Sequence, residues 1–198
     1  MNNSVAIIDY GIGNVYNVQR ACEKCGVDAQ LVETVEQIKS ASHLILPGVG
    51  AFGKGMQELN KRGLVNVIKS HAIEQKPLLG ICLGMQMLLD ESNELYKTKG
   101  LGIIPGKVIA IPNSNRSGIS HKIPHIGWNE LQPADNKLSW KKTILDEIEL
   151  GEAAYFVHSF TASPADEKYR LADVDYNDCQ ISAVVKKGNT YGCPFHPE

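Results

Sequence analysis

Short apolar runs alternate with longer amphipathic stretches through the first half of this chain. Val5-Ala6-Ile7-Ile8-Asp9, Ala29 to Val32, His43 to Pro47 and Pro77 to Ile81 are brief enough and apolar enough to be buried strands. Between the first two, apolar positions at Val15, Val18, Ala21, Cys22 and Cys25 form one stripe of a helix running from about Asn14 to Cys25. A second helical pattern runs from Gly53 to about Glu74. This βαβα rhythm predicts a parallel sheet with helices on both faces. The second half changes character. Lys107 to Ile111, Asn129 to Leu131, Ala153 to Phe160, Tyr169 to Tyr176, Ile181 to Lys186 and Thr190 to Phe195 read as strands joined by turns. The fold class is therefore α/β: a mostly parallel central sheet flanked by helices, with an antiparallel extension in the second half. No internal repeat, low-complexity stretch or long linker divides residues 1–198, which read as one domain.

One junction in this pattern carries chemistry. The strand Pro77-Leu78-Leu79-Gly80-Ile81 runs into Met85-Gln86-Met87-Leu88-Leu89, which continues as a helix, and Cys82 stands at the turn between them. Gly80-Ile81-Cys82-Leu83-Gly84 is the thiol counterpart of the G-x-S-x-G elbow, in which flanking glycines permit a strained turn that holds a nucleophile clear of its neighbours. The turn sets the sulfur at a helix N-terminus, which favours a thiolate, and aims the Leu83 N–H at a developing oxyanion. The plainer alternative is a buried structural cysteine.

Composition narrows the class of partner. Lys and Arg total 20 against 22 Asp and Glu, a formal charge of −2, and no basic cluster is interleaved with aromatics, so no nucleic-acid partner is expected. No apolar run approaches a membrane span and Met1-Asn2-Asn3-Ser4 lacks the features of a signal peptide, so a cytoplasmic protein without a membrane partner is expected. Its five cysteines, at 22, 25, 82, 179 and 193, are then expected to be reduced thiols. Cys22 and Cys25 are spaced as C-x-x-C, but no second Cys/His pair matches and both lie on the helical stripe, so core packing is expected rather than zinc. No metal or cofactor is implied. The polar stretch Pro112 to Lys122, including Arg116, reads as a surface loop.

A nucleophilic thiol needs a base. His196, in Phe195-His196-Pro197-Glu198, is best placed by its surroundings, because residues two apart on an extended chain face the same way and Glu198 can then orient the imidazole. Pro197 biases His196 toward that extended conformation. Pro47-Gly48-Val49-Gly50-Ala51-Phe52-Gly53 follows another strand end, where functional loops of parallel sheets gather. Its glycines permit a peptide to flip toward the reacting centre and supply a second oxyanion donor; a plain strand-to-helix turn would also use them.

Taken together, Gly80 to Gln86, Pro47 to Gly50 and Phe195 to Glu198 resemble the three signatures of class I, triad-type glutamine amidotransferases, a flavodoxin-like α/β family. Asp9-Tyr10-Gly11-Ile12-Gly13-Asn14, Pro124 to Asn129 and Tyr155 to Ser159 further resemble one branch, the glutaminase subunits of imidazole glycerol phosphate synthases, over essentially the full length. The resemblance implies hydrolysis of L-glutamine through a Cys82 thioester, with His196 and Glu198 completing a catalytic triad. It implies an oxyanion site at Leu83 and, after a flip at Val49-Gly50, at Gly50. It places substrate contacts at Gln86, Glu94, Ser159 and Phe160. It also implies a heterodimer in which ammonia passes to a separate (β/α)8-barrel cyclase making imidazole glycerol phosphate and AICAR in histidine biosynthesis, with Tyr10, Gly11, Asn14 and Trp128 toward that partner. For Trp128, core or interface packing is the reading set against any catalytic role; His125 and His158 either position backbone or face the partner. Two departures stand out. Cys193-Pro194 replaces the usual Gln before Phe195, with Pro194 removing a donor from an expected strand. Related proteins also continue past Glu198 with a Lys and a final helix, so a chain lacking its C-terminal helix is expected. A glutaminase serving a sugar amidotransferase in surface-polysaccharide synthesis, a non-catalytic regulatory subunit, and a cysteine peptidase stay open as alternatives.

Overall fold

A computed structural model describes residues 5–115, 117–135 and 139–198. Met1 to Ser4 and Arg116 of the polar loop lie outside the described residues. In chain order the first half runs β1 (Val5–Ile8), α1 (Val15–Lys24), β2 (Ala29–Val32), α2 (Val35–Ser40), β3 (His43–Leu46), α3 (Phe52–Lys61), α4 (Val65–Ile73), β4 (Leu78–Ile81) and α5 (Leu83–Met87). The second half is strand-rich. It runs β5 (Glu91–Ser92), β6 (Thr98–Lys99), β7 (Gly106–Ala110), β8 (His125–Glu130), β9 (Gln132–Pro133), β10 (Ala153–His158), β11 (Phe160–Pro164), β12 (Arg170–Tyr176), β13 (Cys179–Lys187) and β14 (Thr190–Cys193).

The central sheet has the order β2-β1-β3-β4-β14-β13-β12-β9. Its pairings are parallel from β2 through β14 and antiparallel beyond, as the change of pattern at mid-chain predicts. Both faces are covered, which is why the strands are apolar without alternation. Ile7 and Ile8 are adjacent and both fully buried, yet they enter different cores. One core packs α2 to α5 on the sheet through Phe52, Leu59, Ile68 and Leu83; the other receives α1 through Val15 and Val18, together with Phe156 and Phe195.

Four expectations change. The long helical pattern from Gly53 to Glu74 is two helices, because α3 ends in a Schellman turn: Gly63 has φ +68°, its N–H bonds Asn60 O at 3.0 Å and the Leu64 N–H bonds Leu59 O at 3.0 Å. Helix α5 stops at Met87 rather than running through Leu89, because amides of Leu101, Gly102, Ile103 and Ile104 take the carbonyls of Met87, Leu88 and Leu89. The single strand expected from Ala153 to Phe160 breaks at Ser159, so that β10 pairs with β8 and β11 with β7 in a separate sheet. Cys25 is exposed at the cap of α1 instead of packing in the core, while Cys22 is half-buried at its edge. Helix α2 is an element the hydrophobic pattern did not reveal, with only Ile38 buried. Thr34 and Gln37 hold its start in a reciprocal capping box.

Four neighbouring strands, β1, β3, β4 and β14, run the same way, so their carboxyl ends share one edge. Cys82, the Pro47 segment, the Tyr10 loop and the Phe195-His196 segment all emerge there. Cys193 stands opposite Ile81 in the register, and the Cys82 N–H donates to Cys193 O at 2.8 Å. Pro194 falls just past the last residue of β14, so its missing N–H removes no bond from the ladder. Close approach of β3 to the α5 turn requires glycine. A Cβ on Gly84 would stand 1.7 Å from Leu46 O, whereas one on Gly26, at φ +75°, would meet nothing within 4 Å. Gly84→Ala is expected to lower the unfolding free energy by more than about 3 kcal/mol and Gly26→Ala by about 1 kcal/mol, measured by urea denaturation followed by circular dichroism.

Candidate active site

Cys82 adopts φ +53° and ψ −113°, a backbone conformation that a residue with a side chain rarely occupies and that costs roughly 1–3 kcal/mol. The flanking glycines do not take this conformation themselves; neither has a positive φ. They let the chain fold back on itself, since a Cβ on Gly80 would lie 2.8 Å from Gly84 C and Met85 N. Strain is thus concentrated on the nucleophile candidate. Cys82 is held there by its own N–H on Cys193 O and by the Gln86 N–H, which donates to Cys82 O at 3.2 Å.

His196 and Glu198 meet as their spacing predicts. The imidazole Nδ1 lies 2.9 Å from Glu198 Oε1, and since a carboxylate only accepts, Nδ1 carries the proton. The pKa of His196 is pushed up to about 10, first by hydrogen bonding to Cys82 and then by hydrogen bonding to Glu198. An imidazolium between a sulfur and a carboxylate is a proton donor ready for a leaving group. Phe195 anchors this segment by packing edge-on against Phe156, 5.5 Å between ring centres. The Glu198 carboxylate is nearly buried, and its second oxygen, Oε2, has no hydrogen-bond partner among the described residues.

The oxyanion side is blocked. The Leu83 N–H donates to Gly48 O at 3.2 Å, so a backbone carbonyl stands where a substrate oxyanion would need a donor. This corrects the expected geometry of the flip. The peptide lying on Leu83 joins Gly48 to Val49, so its rotation presents the Val49 N–H and not that of Gly50. Gly50, at φ +93°, forms the turn that follows. Gly48 is what the sequence reading overlooked, although the Pro-Gly pair in its own loop motif was the available signal.

The remaining expected site residues fall into two groups. Gln86 is buried one turn along α5 from Cys82, and Glu94 Oε2 accepts the Phe52 N–H at 2.7 Å, fixing it at the start of α3. Glu94 lines a cavity of about 130 Å³ with Phe52, Gly53, Ser92 and Tyr96. Tyr10 is fully buried, so its side chain is not available to a partner surface as expected; its hydroxyl donates to Pro47 O at 2.9 Å. Gly11 and Asn14 are exposed beside it. Trp128 is 71 % exposed, which excludes core packing, and its ring faces Tyr155. Among the described residues no hydrogen bond or ring contact ties Trp128 or Asn14 to the Cys82 turn. Ser159 O already accepts the Ile111 N–H at 2.9 Å and Phe160 O is bonded to the His158 ring at 2.8 Å. A groove of about 1050 Å³ between Glu130 to Asp135 and Glu167-Lys168 contains none of these residues. Chemistry rather than size marks the site. Among the described residues no group of His, Cys, Asp and Glu is arranged to hold a metal ion, and no helix is long and apolar enough to cross a membrane.

His125 and His158 are both buried, so they do not face a partner. Against the Phe160 carbonyl His158 Nδ1 must donate, and its Nε2 lies 3.1 Å from His125 Nδ1. Burial depresses His158 to about 4 from an ordinary 6.5. The unfolded chain therefore binds a proton that the folded chain refuses between those values. The contribution of His158 to stability is full above about pH 6.5 and falls as pH drops toward 4, and His158→Gln is expected to flatten that acid-side slope in urea midpoints measured against pH.

Comparison with known proteins places this geometry in context. Residues 6–198 match the family model described as glutamine amidotransferase class-I. Among curated relatives, a Legionella pneumophila (strain Lens) protein named imidazole glycerol phosphate synthase subunit HisH 1 is 50% identical over 196 residues, spanning 99% of this chain and 92% of the relative. A Geobacillus kaustophilus protein named imidazole glycerol phosphate synthase subunit HisH is 44% identical over 194 residues, 98% of this chain and 89% of its own. Among solved structures, one described as a glutamine amidotransferase superposes with a TM-score of 0.73 at 18% identity, covering 98% of this chain and 89% of that one. A Thermotoga maritima glutamine amidotransferase gives 0.65 at 16% identity, covering 99% and 76%. These structural likenesses speak to the fold.

Proposed function

The chain belongs to the class I glutamine amidotransferase family, and on that premise we propose that it hydrolyses L-glutamine as the glutaminase subunit of an imidazole glycerol phosphate synthase, handing ammonia to a (β/α)8-barrel cyclase. The observation that carries the reading is the meeting, at one sheet edge, of a strained Cys82 with the His196–Glu198 pair. Near-full-length relatives at 44–50% identity, named as subunits of imidazole glycerol phosphate synthase, support that client. No specific observation favours a polysaccharide client or a peptidase.

In this reading the Cys82 thiolate attacks the side-chain amide carbon of glutamine, and the carbonyl π electrons move onto oxygen. Leu83 N–H and, after rotation of the Gly48–Val49 peptide, Val49 N–H hold that oxyanion. The His196 imidazolium gives its proton to the departing nitrogen, releasing ammonia and leaving a γ-glutamyl thioester. Neutral His196 then takes a proton from water, whose oxygen attacks the thioester and expels glutamate, restoring the thiolate and imidazolium. Glu198 keeps the ring oriented and stabilises its charged form. On this reading Glu94, one of whose carboxylate oxygens accepts the Phe52 N–H, pairs with the α-ammonium of the substrate through the other, and Gln86 lies one turn along α5 from the nucleophile.

The blocked Leu83 N–H supports a low resting rate, since one oxyanion donor is worth about 10²–10³ in turnover. Glutamate production from glutamine, measured with and without the cyclase, is expected to be slow for the chain alone and strongly stimulated by the partner; brisk turnover without any partner would sink the low resting rate. Cys82→Ala is expected to cut glutamine-dependent synthesis by at least roughly 10³-fold. The same variant should leave synthesis from added ammonia near the unmodified level. Asn14→Ala, on the exposed loop, should reduce stimulation more than basal turnover, and equal losses in both would contradict its assignment to the partner face.

A further inference from the structure

Tyr10 stands out among the buried polar groups because the mechanism does not use it, yet it touches the segment that must move. Its phenol is fully buried, and its hydroxyl donates to Pro47 O at 2.9 Å. The same oxygen presses on the next residue, since a Cβ on Gly48 would stand only 2.4 Å from Tyr10 Oη. The same position is hemmed in by Leu83 and Gly84, whose Cβ and N lie 3.0 and 3.2 Å from it. Gly13 completes the enclosure, because a Cβ placed on it would be 3.5 Å from Gly48 Cα and N. The β1–α1 loop and the α5 turn thus grip the peptide that blocks Leu83.

We infer that Tyr10 is a positioning residue whose hydroxyl latches the Pro47-Gly48 segment in the blocked state and ties release of the Leu83 N–H to movement of the Tyr10–Asn14 loop. The inference rests on the glutaminase reading for its functional meaning, though not for its geometry. Rotating one peptide is a crankshaft motion in which Gly48 ψ and Val49 φ counter-rotate, and the residual displacement passes to the neighbours. Pro47 absorbs little of it. Its ring locks φ, and its carbonyl is held by Tyr10. Gly48 itself has the dihedral freedom to turn, so the restraint lies in what surrounds it. Burial, with Cys82 nearby adding to it, pushes the Tyr10 phenol well above its ordinary range, so the hydroxyl remains a donor at any working pH. The loop that carries Tyr10 also carries exposed Gly11 and Asn14, so a partner touching those residues pulls on the latch directly.

Tyr10→Phe tests this, because it removes the hydroxyl and keeps the ring that fills the core. The first readout is amide hydrogen exchange in the isolated chain. Protection of the Leu83 N–H is expected to fall about tenfold, while that of the Cys82 N–H, bonded to Cys193 O, is unchanged. Unchanged protection at Leu83, or an equal loss at both amides, would overturn the latch whatever the enzyme does. The second readout is steady-state glutamine hydrolysis. Basal kcat is expected to rise about tenfold with KM within about twofold of the unmodified protein, and kcat in the presence of the cyclase to stay the same, so the stimulation ratio shrinks. A basal kcat that falls in step with the stimulated one would also overturn the latch. If the unmodified protein fails to hydrolyse glutamine even with the cyclase, the functional reading fails instead, and the exchange measurement alone decides the latch.

Discussion

Four parallel strands ending in phase is the constraint on which the rest of the site depends. Nothing in the sequence places Tyr10, Gly48, Cys82 and His196 near one another except that β1, β3, β4 and β14 are neighbours running the same way. Antiparallel β14 would carry His196 to the opposite edge. The sheet's both-sided burial keeps that register from slipping, because a one-residue shift would exchange the side chains of two distinct cores. Packing far from the chemistry therefore sets the distance between the proposed nucleophile and base.

On that platform the α5 turn divides its labour between residues in an unexpected way. Gly80 and Gly84 give up side chains so that backbone can touch backbone, and Cys82 bears the unfavourable dihedrals. Strain of this kind persists only where the surroundings over-determine it, and here Leu46, Cys193 and Gln86 all take part. His196 is supported similarly at one remove, through Phe195 against Phe156. Rigid placement of sulfur and imidazole contrasts with the oxyanion side, where one bond from Leu83 to Gly48 separates the observed arrangement from the one the proposed chemistry needs.

Much of this was legible in the sequence. Strands β1 to β4 and helix α1 follow from apolar runs and one helical stripe, and the two-residue spacing of His196 and Glu198 foretold their contact. Helix α2 was missed because a six-residue helix with one buried side chain makes almost no periodic signal, although Thr34-x-x-Gln37 was there to be read. The break at Ser159 was hidden because no glycine or proline marks the junction within Ala153 to Phe160. Tyr10 could not be read at all in its observed contact. Its hydrogen bond to Pro47 O spans 37 residues and depends on strand order, which no local pattern specifies.

The bond from Leu83 to Gly48 joins one main chain to another. Every amino acid except proline carries both of its groups, so ordinary sequence drift cannot delete it; substitutions can only alter what presses on it. A restraint drawn in the backbone is inherited even as side chains diverge. Descendants of this chain could exchange their partners' contact residues freely and still begin from the same main-chain bond.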